Sequence, residues 1–190
     1  MKVIFGQGNP GERYQNTRHN IGWTTVSAFA RAQHVDFTHK PKFHAHIAEL
    51  QHRGEKVLIV LPDTFYNEVG KSARAIMDFY KLSASDILVV HDDIALPWGT
   101  IRVRRSGSDA GNNGIKSYNA HIGDTYWRIR VGIQPLTQVS DTAAYVLGTL
   151  NTKERELLTL TLPEIIQQIQ LFMNEVIAVH SVSLSTTSDA

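Results

Sequence analysis

The chain has 190 residues, 42% of them hydrophobic and 19% charged, with a formal net charge of +1. That balance fits one globular domain with a sizeable core and argues against disorder. It contains no cysteine, which removes disulfides, thiolate nucleophiles and cysteine-ligated zinc, and its near-neutral charge leaves any nucleic-acid footprint to local clustering.

Residues 3–5 form the first strand pattern, and the N-terminus passes straight through it into a glycine turn, without the apolar stretch of a signal peptide. No apolar run approaches the roughly 18 residues of a membrane span. A cytoplasmic protein with no membrane partner is expected. Residues 17–33 carry Ile21, Thr25, Ala28, Phe29 and Ala32 at helical spacing, with Thr17 as the expected N-cap. Residues 44–50 alternate, 53–55 make a turn and 57–61 return, a hairpin pattern that predicts a mixed sheet. A helix is expected over 72–80 and a buried strand over 87–90. At 101–104, Ile101 and Val103 alternate with Arg102 and Arg104, as on a half-exposed strand. A Gly/Ser/Asn-rich loop over 106–114 leads into a helix from Ile115, and a further strand covers 127–133. Asn151 with Glu154 three residues on resembles a capping box. The last helix is expected over 163–179, and the Ser/Thr-rich tail 181–190 is expected to fray. Short strands alternating with helices predict an α/β protein: a single compact domain, residues 1–180, with a mixed twisted β-sheet flanked by helices.

Four segments can carry chemistry. In the first, Gly6, Gly8 and Gly11 have the spacing of a dinucleotide turn, but Pro10 interrupts it and the helix starts too late. His19 follows at the helix start. The helix dipole there disfavours imidazolium and leaves the ring able to accept a proton; an ordinary solvent-satisfied histidine fits the position as well. In the second, Asn67 follows a strand end, where open α/β sheets form ligand crevices; its plain alternative is a helix cap. In the third, His91, Asp92 and Asp93 end a strand, as acids, orienters or metal ligands do. No further ligand converges on them at a defensible spacing, and no metal is assigned. His44 and His46 share a strand face and read as exposed. In the fourth, Arg102, Arg104 and Arg105 feed the loop 106–114, with Lys116, Arg128 and Arg130 extending the patch. This suits phosphate or nucleic-acid backbone, although a solvated strand face accounts for it too. The absence of a G-x-S-x-G elbow disfavours a serine hydrolase.

Together these segments resemble the bacterial-type peptidyl-tRNA hydrolases. The resemblance rests on Gly6-Gln7-Gly8-Asn9-Pro10-Gly11 with Tyr14 and Thr17-Arg18-His19-Asn20, on Phe65-Tyr66-Asn67 with Gly70, on His91-Asp92-Asp93 with Leu96-Pro97-Trp98-Gly99, and on Gly111-Asn112-Asn113-Gly114. Two further blocks, 128–133 and 145–148, follow in the family's order. The resemblance implies a monomer without metal or cofactor that hydrolyses the ester between peptide and tRNA. By the same resemblance, His19 is the base that activates water and Asp92 orients it. Asn67 holds the oxyanion or carbonyl, while Asn9 and Asn113 bind the peptide next to the ester. Tyr14 and Phe65 contact the RNA end, and Tyr66 and Asn112 stand in the substrate-binding wall. Arg102, Arg104 and Arg130 bind tRNA phosphates. Three positions depart from the family pattern: Tyr66 replaces a methionine, Ala95 an acidic residue and Asn112 a histidine. Two other readings compete. One is an RNA-binding or splicing-type factor on the same fold, which would not need the whole set of polar residues. The other is a nucleotide-cofactor enzyme, which Pro10 disfavours.

Overall fold

Four mostly buried strands form the centre of the sheet, three of them carrying continuous apolar runs. In a computed structural model describing residues 1–135 and 137–185, they are β1 (Lys2–Gly6), β4 (Glu55–Pro62), β5 (Ile87–Pro97) and β7 (Trp127–Gln134). These four run parallel, β1 between β4 and β5, with β7 beyond β5. Ile4, Ile59, Leu88 and Ile129 point to one core, and Phe5, Leu58, Val60 and Val89 to the other. Such continuous runs, rather than alternation, are what a parallel sheet covered on both faces requires.

The edges are antiparallel. β2 (Thr38–Lys40) and β3 (Ala45–His52) extend the sheet beyond β4, while β6 (Thr100–Arg104) and β8 (His180–Ser183) extend it beyond β7, giving the order β2-β3-β4-β1-β5-β7-β6-β8. The expected hairpin is present, with Ala45 opposite Pro62 and His52 opposite Glu55. One face carries α1 (Ile21–Ala32) and α5 (Thr152–Met173), and the other α2 (Gly70–Tyr80) and α3 (Asn113–Ile122). The expected α/β class and mixed sheet are therefore what the chain forms. Among the described residues no helix is long and apolar enough to cross a membrane.

Several local expectations are corrected. Thr17 does not cap a helix: its hydroxyl donates to the Tyr14 carbonyl at 2.8 Å. His19 lies in a separate 3-10 turn, Arg18–Asn20, before α1 rather than in its first turn. Asp92 and Asp93 sit inside β5, which continues past Val90 to Pro97 through an irregularity after Asp93. The last helix begins at Thr152, not at 163. The Asn151–Glu154 capping box starts it, and Pro163 is tolerated within it because Thr161, Ile165, Ile169 and Phe172 hold that face in the core. Residues 181–183 do not fray, since Val182 packs on the core and β8 pairs with β6. Residues 186–190 of the expected tail lie outside the described residues.

Candidate active site

The carboxyl ends of β4, β1 and β5 converge on one rim, the usual place for a crevice in an open α/β sheet. Gly22 brings α1 against that rim. A Cβ there would lie 2.1 Å from the Val90 carbonyl oxygen, while the neighbouring Trp23 amide donates to the Gln7 carbonyl at 2.9 Å. Only glycine allows this approach, and it sets the turn three residues upstream directly over β5.

That turn is pinned on both sides of His19. Arg18 donates through Nε and Nη2 to both Glu154 oxygens, at 3.0 and 2.8 Å, and through Nη1 to the Tyr145 carbonyl at 3.0 Å. A two-pronged, largely buried pair of this kind fixes orientation. Asn20 accepts from the Asn9 amide at 2.9 Å and donates to the Asn9 carbonyl at 2.8 Å, locking the loop after β1. His19 itself meets Asp92: Nδ1 lies 2.8 Å from Oδ2. Asp92 is 2% exposed. Its carboxylate accepts, so Nδ1 carries the proton and Nε2 is left as the ring's acceptor. Nε2 has no partner among the described residues.

Tyr66 forms the floor beneath His19. The two rings stack at 3.4 Å between centroids with 15° between planes, and the phenol donates to Asp92 Oδ1 at 2.5 Å. Its backbone amide donates to Asn9 Oδ1 at 2.9 Å, which fixes the Asn9 amide with Nδ2 unpartnered among the described residues. Asn112 caps α3, its oxygen accepting from the Gly114 and Ile115 amides. Its Nδ2 donates to the Tyr66 hydroxyl at 2.8 Å.

A cavity of about 710 Å³ opens over this floor. Asn9, His19, Asn67, Asn113, Arg104 and Arg130 are all on its wall. Asn67 and Asn113 are exposed and make no side-chain hydrogen bond among the described residues. The far wall is the loop 106–112 together with α4 (Thr142–Leu147), an element absent from the sequence reading.

The arginines divide by role. Arg102 lies opposite Arg130 across β6 and β7, and Arg104 opposite Arg128. Burial, and the proximity of Arg102 and Arg130, lower the Arg104 pKa, and its Nη1 donates to the Val103 and His180 carbonyls. Arg130 Nε also donates to Asp93 at 2.5 Å. Arg128 is buried and spends its guanidinium on Ser108, Asn119 and Asp124, so it holds the loop rather than extending an open patch. Arg102 stands just outside the cavity wall.

The expected RNA-end residues are not in the wall. Tyr14 is half-buried in a 3-10 turn with the Arg13 guanidinium 4.6 Å from its ring centroid. Phe65 is 53% exposed, beside Tyr66 and Asn67 but outside the cavity. Tyr66 and Asn112 reach the wall mainly as partners of Asp92 and of each other. Sequence reasoning missed the clamping role of Asn20 and the Arg18–Glu154 pair, which joins residues 136 apart. Asn20 was visible as one more polar residue in the opening block; nothing local marks Glu154 beyond its capping box. Among the described residues no group of three or more His, Asp or Glu is placed to hold a metal.

A buried carboxylate steering an imidazole whose second nitrogen opens on a groove is the equipment of a hydrolase that works by general-base catalysis. The peptidyl-tRNA hydrolase family model matches residues 3–188. The chain is 43% identical to the peptidyl-tRNA hydrolase of Desulfitobacterium hafniense over 176 residues, covering 92% of this chain and 94% of that protein. It is 45% identical to that of Levilactobacillus brevis over 156 residues, covering 82% and 83%. The crystal structure of peptidyl-tRNA hydrolase from Acinetobacter baumannii superposes with a TM-score of 0.85 at 29% identity, covering 94% of this chain and 95% of that one. The chain belongs to the peptidyl-tRNA hydrolase family.

Proposed function

We propose that this chain releases tRNA from peptidyl-tRNA by hydrolysing the ester between the peptide carboxyl and the terminal ribose, with His19 as general base and Asp92 as its orienter. The observation that carries this reading is the His19 Nδ1–Asp92 Oδ2 contact of 2.8 Å, which leaves Nε2 free at the cavity. A ribose alkoxide leaves far more readily than an amine, so activated water suffices without a covalent nucleophile. His19 Nε2 takes a proton as the water oxygen bonds to the ester carbon. Asp92 stabilises the imidazolium. The carbon–ribose oxygen bond then breaks, and the proton passes to the departing oxygen.

Asn67 and nearby backbone amides serve the oxyanion. Asn9 and Asn113 bind the peptide next to the ester. The free Nδ2 of Asn9 is a donor suited to the carbonyl of an acylated amino group. An unblocked aminoacyl-tRNA offers an ammonium there instead, which leaves donors facing each other. Arg102, Arg104 and Arg130 take the phosphate backbone, with affinity that weakens as salt rises. Tyr14 and Phe65, both outside the cavity wall, contact the RNA end in this reading. Action as a monomer in the cytoplasm is part of this reading. The polar set needs no metal or cofactor for this reaction.

The test is incubation of the purified chain with N-acetyl-aminoacyl-tRNA and, in parallel, with unblocked aminoacyl-tRNA. Cleavage of the blocked substrate and little of the other is expected. Tight tRNA binding without cleavage would instead favour the RNA-binding factor, and equal rates on both substrates would remove the proposed selectivity.

A further inference from the structure

We propose that Tyr66 is a positioning residue that sets how far into acid the enzyme works, by holding the second oxygen of Asp92 while its ring seats His19. This rests on the reading of His19 as the base. Asp92 has two oxygens and two partners: Oδ2 faces His19 Nδ1 at 2.8 Å, and Oδ1 accepts from the Tyr66 hydroxyl at 2.5 Å. A donor on Oδ1 draws carboxylate charge away from the imidazole. The imidazolium that forms as water loses its proton is then less stabilised. The phenol thus trades some base strength for activity that persists as the medium acidifies.

The direction of that hydrogen bond is fixed from outside. Asn112 Oδ1 accepts from the Gly114 and Ile115 amides at 3.0 Å each and from Gln7 Nε2 at 3.2 Å. Its Nδ2 must therefore point the other way, donating to the Tyr66 oxygen at 2.8 Å and to the Asp92 carbonyl at 3.2 Å. With its oxygen already accepting, the Tyr66 hydroxyl has, among the described residues, only Asp92 Oδ1 to donate to. Burial, reinforced by the Asp92 charge, pushes the Tyr66 ionisation well above its ordinary value, so it remains a donor throughout the working range. The chain of contacts runs from the start of α3 through Asn112 and Tyr66 to Asp92 and His19.

Other charges share the cavity. β5 supplies His91 and Asp93 besides Asp92, β6 and β7 supply Arg104, Arg128 and Arg130, and the loop supplies Asp109. Asp93 is neutralised by Arg130 at 2.5 Å, and burial keeps His91 uncharged, with a pKa of about 4. Among the described residues, only Asp92 and Tyr66 are in direct polar or stacking contact with the His19 ring.

The test is the pH profile of kcat on N-acetyl-aminoacyl-tRNA for wild type, Tyr66→Phe, Asn112→Ser and His19→Ala. Phenylalanine keeps the stacked ring and removes the donor; serine keeps a helix cap and removes the amide donor. In Tyr66→Phe the acid limb is expected to move to higher pH by roughly half a unit to one unit, with KM within about twofold. Asn112→Ser moves the limb the same way by less, and it carries the test should Tyr66→Phe not fold. An unshifted limb in the folded variants, or a rise in KM alone, overturns the proposal while an inactive His19→Ala leaves the base reading intact. Activity in His19→Ala would overturn that reading itself.

Discussion

The floor of the cavity and its rim are built on opposite principles. On the floor, Asn9, Asp92, Tyr66 and Asn112 are bonded to one another and to the backbone, and His19 is left one free nitrogen. On the rim, Asn67 and Asn113 stand exposed and unpaired among the described residues, and Arg104 is crowded by two other arginines. A group whose rotamer is fixed before substrate arrives serves the reacting atoms without reorganisation. A group with unspent donors gains on binding and can adapt to a variable peptide and tRNA. Changes to the floor should therefore lower kcat, and changes to the rim should raise KM.

The largest effect that sharpens this contrast is expected on the floor. Asp92→Asn should lower kcat by about a hundredfold or more with KM little altered, because the amide neither steadies the imidazolium nor fixes its tautomer. Steady-state kinetics on N-acetyl-aminoacyl-tRNA measures this, and a change confined to KM would break the contrast. Asn9→Ala should reduce the ratio of blocked to unblocked cleavage by about tenfold, as removal of one selective hydrogen bond does; competing the two substrates in one reaction reads that ratio. Arg104→Gln should raise KM a few-fold at constant kcat and reduce the salt slope of tRNA binding by about one. Binding titrations across a salt series check it.

The smallest effect concerns stability. Burial lowers the His91 pKa from 6.5 to about 4, against the opposing pull of Asp92 and Asp93. The unfolded chain therefore takes up this proton before the folded one does. The contribution is fully present above about pH 6.5 and is lost as pH falls toward 4. Thermal melts of His91→Gln should decline less steeply than wild type across that window; parallel declines would show that His91 stays accessible to protons in the fold.

The sheet was legible in the sequence because its signals are local. Residues 57–61 and 87–90 are apolar runs, 127–133 sets Ile129, Val131 and Ile133 at alternate positions, and the 44–61 hairpin shows its turn at Arg53 and Gly54. The proposed base His19 and its proposed orienter Asp92 were legible through matching blocks. The clamps were not, because they depend on long-range geometry: Arg18 meets Glu154 across 136 positions, and Tyr66 meets Asp92 across 26. Tyr66 and Asn112 looked like two separate departures from the family pattern. In the fold they are hydrogen-bonded to each other, which no residue-by-residue comparison reveals. The strand at 180–183 escaped notice because a polar edge strand draws its stability from its neighbour β6 rather than from its own pattern.

The most direct test of the central claim is single-turnover cleavage of N-acetyl-aminoacyl-tRNA by wild type and by His19→Ala, at saturating enzyme so that binding drops out. With His19 Nε2 as the water-activating base, the alanine variant should bind the tRNA normally and cleave at least about a thousandfold more slowly. Cleavage at the wild-type rate would contradict the account.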